Sequence, residues 1–85
     1  MGGDPGRQGL LKLMLRLPAL RRDLLRLWPG SVPLRALCEA YHDATLTRER
    51  LSVDAGAHED PLLGEYETIC IELEDEISAL CRAGR

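Results

Sequence analysis

The sequence predicts an all-α fold, on three observations. Apolar residues make up 45% of the chain, yet there is no Phe and a single Trp, which is the composition of helices packing on helices. Apolar positions recur at three- and four-residue spacing in three segments, 10–28, 33–52 and 61–82, as one face of an α-helix requires. The joints between those segments, "WPGSVP" at 28–33 and "SVDAGAHED" at 52–60, hold the helix breakers. The expected architecture is a kinked N-terminal amphipathic helix followed by an antiparallel two-helix hairpin. A chain of 85 residues buries a low fraction of its surface on folding, so completion by oligomerisation or by docking to a partner is expected.

Residues 1–9, "MGGDPGRQG", contain four glycines and a proline and are expected to be a flexible lead-in. From Leu10 to Trp28, a helical wheel gathers Leu10, Leu13, Met14, Leu17, Leu20, Leu24, Leu27 and Trp28 on one broad side. Lys12, Arg16, Arg22, Asp23 and Arg26 lie on the other. Pro18 falls in the middle, where it removes a backbone donor and clashes with the carbonyl of Met14, so a kink or a break is expected there. Pro29 and Gly30 stop the helix, and Ser31 is placed to cap the next one ahead of Pro33.

The second helix is expected over 33–52, with Leu34, Leu37, Tyr41, Ala44 or Thr45, Arg48 and Leu51 inward and a weaker second half to that seam. Residues 52–60 read as a loop with Gly56 at positive φ. Asp60 followed by Pro61 opens the third helix, 61–82, as a cap and a first-turn proline. Leu63, Tyr66, Cys70, Leu73, Ile77 and Leu80 form a heptad seam, which Leu62 and Ile69 widen, and Gly84 is the stop. A short loop makes the two helices antiparallel neighbours, with Leu51 opposite Leu63, Ala44 near Cys70, Tyr41 near Leu73 and Leu34 near Leu80. The motif "LRALCEAYHDA", a following "ER" and then "EYETICIELEDEI" resemble small, uncharacterised bacterial helical-hairpin proteins. That resemblance covers the second and third helices, implies a hairpin there and brings no activity with it.

The net charge is −3, but the halves differ: residues 1–50 carry nine Lys/Arg against five Asp/Glu, and residues 51–85 carry two against nine. Such polarity can steer a basic segment to an anionic partner or simply reflect solvated helix faces. Three cysteines, Cys38, Cys70 and Cys81, fit reduced thiols in a cytoplasmic compartment. Lys12 and Arg16 interrupt the apolar run, so it does not read as a signal peptide. Five basic side chains between residues 10 and 28 would cost about 2.5–3.5 kcal/mol each at the centre of a bilayer, which argues against a membrane span.

Candidate chemistry is sparse. Cys38 and His42 lie four apart on one helix face, a chelating spacing, but two ligands make no site, and Cys81, His58 or a carboxylate would have to complete it. Cys70 and Cys81 are most simply a packed small hydrophobe and a thiol near a helix end, and a redox role is the weaker reading. Glu39, Tyr41, His42 and Asp43 include acid–base types, but consecutive residues on a helix diverge, whereas catalysis needs convergence in a pocket. No Gly-rich phosphate loop, nucleophile elbow or paired-carboxylate arrangement is apparent, so neither an enzyme nor a cofactor, metal or small-molecule site is expected. Few aromatics and an acidic total argue against nucleic acid.

The expectation is a non-enzymatic protein-interaction module, an accessory or adaptor subunit, with a protein partner or a homo-oligomer. Its partner-binding residues would be Leu13, Leu17, Leu20, Leu24 and Trp28, with Arg16, Arg22 and Arg26 alongside. The alternative is a peripheral membrane-surface protein using the same leucines, with the basic side chains toward anionic lipid.

Overall fold

A computed structural model of the chain describes residues 3–55 and 60–84. Four helices and one 3-10 turn run in the order α1 (Pro5–Arg16), a turn at Pro18–Leu20, α2 (Arg21–Leu27), α3 (Val32–Ala55) and α4 (Pro61–Ala83). No strand occurs among the described residues, and the protein is all-α as the sequence predicts. Gly56 and His58 lie outside the described residues.

Helix α1 begins at Pro5, earlier than the sequence suggests, so most of the segment expected to be a flexible lead-in is helical. The cause is a cap: the Asp4 carboxylate accepts from the Gly6 N–H at 3.0 Å, with Pro5 in the first turn. Asp60 and Pro61 do the same for α4, the carboxylate accepting from the Leu62 N–H at 2.9 Å. Ser31 opens α3 as expected, accepting from the Leu34 N–H at 3.2 Å. α3 runs three residues beyond its expected end, to Ala55, because no glycine or proline interrupts it before Gly56.

Of the kink or break expected at Pro18, the structure has the break. Leu17 leaves helical geometry at φ −124° and ψ 68°, and the 3-10 turn at Pro18–Leu20 reverses the chain. Pro18 has no N–H to give the Met14 carbonyl, and the Arg21 guanidinium donates to that carbonyl instead, at 3.2 Å. After the reversal α2 returns Trp28 to the start of α1, where its ring would stand 3.2 Å from a Cβ on Gly6. The Arg35 guanidinium lies 5.5 Å over the Trp28 ring and donates to the carbonyls of Trp28 (3.2 Å) and Pro29 (3.0 Å), closing the connection to α3.

The four helices make two layers, α1 with α2 and α3 with α4. Between them Leu10 and Leu13 of α1, Leu24 of α2, Leu34, Cys38, Tyr41 and Ala44 of α3, and Cys70, Ile77 and Cys81 of α4 form one core. The approach of α1 to α3 depends on Gly9: a Cβ at that position would fall inside the Cys38 carbonyl group. Polar contacts secure the same crossing. The Lys12 ammonium donates to the Thr45 hydroxyl at 2.7 Å, and that hydroxyl donates to the His42 carbonyl at 3.0 Å. Within the hairpin, the Tyr41 hydroxyl donates to the Glu74 carboxylate at 2.7 Å, one residue from the register expected at Leu73.

Two glycine substitutions separate crossing from propensity. Gly9→Ala is expected to lower stability by about 1–3 kcal/mol, because overpacking outweighs the helix propensity gained. Gly64→Ala, in helix α4 with nothing within 4 Å of its Cβ, is expected to raise stability by about 0.5–1 kcal/mol. Urea unfolding of both variants tests this, and a Gly9→Ala variant as stable as the unsubstituted chain would show that the α1–α3 contact is not as tight as described.

Candidate interaction surface

The residues expected to bind a partner divide between interior and surface. Leu13 and Leu24 are completely buried, while Leu17, Leu20 and Trp28 are half-buried and pack against the same core. The chain's own hairpin therefore covers much of the apolar side of segment 10–28. Arg16 pairs with Glu74 at 3.5 Å, and Arg26 donates to the Gly84 carbonyl at 3.0 Å and pairs with Asp23 at 3.4 Å. Those two arginines tie α1 and α2 to α4. Arg22 is exposed, on the outer side of α2 beside Leu25.

The candidate chemistry is not assembled into a convergent site. Cys38, Cys70 and Cys81 are not joined by disulfides, and all three are fully buried. Burial pushes the Cys38 thiol up to about 11, the neighbouring Cys81 adding to it, and burial likewise raises Cys70. Tyr41 is raised by burial and by its bond to Glu74. The His42 Nδ1 is buried without a hydrogen-bond partner, yet no group of three or more metal-capable side chains occurs among the described residues. Glu39 and Asp43 are exposed while Tyr41 points inward to Glu74.

What the fold does create is a difference in length between its layers. At 1.5 Å per residue, α1 with its 12 residues spans about 18 Å, whereas α3 with 24 spans about 36 Å. Beyond Thr45 on α3 and before Cys70 on α4, no described residue is fully buried. Arg16, the last residue of α1, forms the end wall of a shallow cavity of ≈ 550 Å³ that continues the α1 track along the hairpin. Val53, Leu63 and Ile71 supply its apolar lining, and Arg48, Glu49, Glu67 and Glu74 its charged lining. Val53 is 80% exposed and Ile71 55%. Sequence reasoning missed both, because Val53 fell in the expected loop and Ile71 stands off the heptad seam.

No helix among the described residues is long and apolar enough to cross a membrane. No family model matches the chain, and no characterised protein or solved structure is similar to it at a significant level.

Buried thiols and a buried tyrosine give two measurable consequences. In native protein all three cysteines are expected to resist a thiol reagent that modifies them fast in denaturant. Stability is expected to fall as pH rises above 9. Groups whose folded pKa is raised stabilise the fold below their unfolded value and lose that contribution on the way to the folded one, which for Cys38 spans 9.0 to about 11. Urea midpoints measured from pH 7 to 11 read this out, and a midpoint rising over that range would contradict it.

Proposed function

We propose that the protein is a non-enzymatic interaction module, an accessory or adaptor subunit that docks on another protein through the uncovered half of its α3–α4 hairpin. One observation carries this reading: the hairpin is about twice as long as the layer that covers it, and the uncovered part presents Val53 and Ile71 beside Leu63. A small chain gains little by extending a hairpin past its own core unless another surface completes the packing. The charged lining of Arg16, Arg48, Glu49 and Glu67 would set orientation rather than affinity. The contact surface proposed here thus differs from the leucine face of segment 10–28, since Leu13 and Leu24 already serve the core.

A membrane-surface role finds less support, because an interfacial helix would have to expose those same two leucines and break the core to do so. The test uses the full chain as bait in extract from its native source, compared with Val53→Glu and Ile71→Glu. The unsubstituted chain is expected to retain a stoichiometric partner, and each variant to lose at least about tenfold in affinity while keeping its helical signal and melting temperature. Equal recovery by all three would overturn the groove as the docking site, and flotation of the chain with anionic vesicles at low salt would favour the lipid surface instead.

A further inference from the structure

The groove beyond Arg16 is the second half of a track whose first half is already filled by a helix of this chain. Helix α1 lies on the hairpin with Gly9 against Cys38 and Lys12 on Thr45 of α3, and with Arg16 on Glu74 of α4. On α3 the same side continues from Thr45 to Glu49, and from there to Ser52 and Val53, in steps of three and four that keep to one helix face. On α4 it continues from Glu74 to Ile71, Glu67 and Leu63 by steps of the same size. All six residues line the cavity. The side of the hairpin that holds α1 therefore runs on past the end of its occupant.

What fills the first half shows the chemistry that the track accepts. Helix α1 sends Leu10 and Leu13 into the core, and its charged side chains, Arg7, Lys12 and Arg16, are all basic. Lys12 reaches α3 and Arg16 reaches α4. The uncovered end of the hairpin has the matching sign: residues 46–55 and 60–72 carry two Arg against six Asp/Glu. Within the cavity lining, Glu74 is already engaged by Arg16 and by the Tyr41 hydroxyl, and Arg48 is half-buried near Tyr41 and Cys70. Glu49 and Glu67 are exposed and form no salt bridge among the described residues.

We infer that the groove takes a basic amphipathic helix of the partner protein, laid end to end with α1, its apolar side chains on Val53, Leu63 and Ile71 and its Lys or Arg side chains on Glu49 and Glu67. Continuity with the seat of α1 selects a helix, and the two unpaired carboxylates select its charge. From Arg48 to Ala55 helix α3 rises about 12 Å, so about two turns of the partner make contact, with apolar anchors at i, i+4 and i+7. An acidic helix of the same shape would set like charges against Glu49 and Glu67, which is how the groove would reject it.

Such an occupant rests on the docking reading of the groove and adds its chemistry. The probes are two capped helical peptides of about sixteen residues with the same leucine face, one with Lys and the other with Glu at its polar positions. Each is titrated into the full chain at low salt and followed by amide chemical shifts. The Lys peptide is expected to shift Ser52, Val53, Leu63 and Ile71, to bind at least about tenfold more tightly than the Glu peptide, and to weaken as salt is added. Glu49→Lys combined with Glu67→Lys, at two exposed positions, is expected to reverse the order of the two peptides with the melting temperature kept.

A Glu peptide that binds as tightly as the Lys peptide would overturn the inference, as would shifts confined to other surfaces or no binding by either. An order that the double variant leaves unchanged would overturn it too. These outcomes leave the groove standing wherever Val53→Glu and Ile71→Glu still cost the native partner. Equal recovery of that partner by those two variants strikes the groove itself, whatever the peptides do.

Discussion

The close approach of two helix backbones at Gly9 and Cys38 is the constraint on which the rest of the fold depends. With no side chain at Gly9, α1 sinks against α3 far enough that a Cβ would occupy the Cys38 carbonyl. Only at that separation do Leu10 and Leu13 reach the core, Lys12 reach Thr45 and Arg16 reach Glu74. Gly6 applies the same logic one turn earlier, leaving space for the returning Trp28 ring. Each helical glycine costs about 0.5–1 kcal/mol in propensity, while one fully buried leucine contributes about 1.5–3 kcal/mol. The exchange favours glycine wherever it admits a leucine.

From that crossing the break at Pro18 follows as a second requirement. An unbroken helix over 10–28 would carry Leu20, Leu24 and Trp28 out along the hairpin, and Leu24 would be lost from the core. By reversing at Leu17 the chain lays α2 back beside α1, so that Leu24 joins the core and Arg26 reaches the Gly84 carbonyl. Arg21 makes the reversal tolerable by donating to the carbonyl that Pro18 strands. Helices of 12 and 7 residues are too short to persist alone, so this layer exists only as docked on the hairpin.

How much of this could be seen in the sequence depends on whether a signal is local. Ser31 and Asp60 were legible as caps because a cap is a relation among neighbours, and the α4 seam was legible because periodicity is too. Asp4–Pro5 carries the same capping signal as Asp60–Pro61, but the glycines around it pointed to a flexible segment. A glycine permits a turn and a close approach alike, and only the partner backbone at Cys38 tells which. The wheel over 10–28 grouped the right leucines but assigned them one continuous face, since it assumed a single axis through Pro18. The surface residues failed for a third reason. Val53 stands between Ser52 and Asp54 and Ile71 stands off the heptad seam, and it is the antiparallel pairing of α3 and α4 that brings them to one cavity.

The mismatch between layers leaves the far half of the hairpin without cover from α1 and α2. The groove beyond Arg16 is lined by Val53, Leu63 and Ile71 together with Arg48, Glu49 and Glu67, and in so mixed a lining the order of charges discriminates among surfaces more than it strengthens any contact.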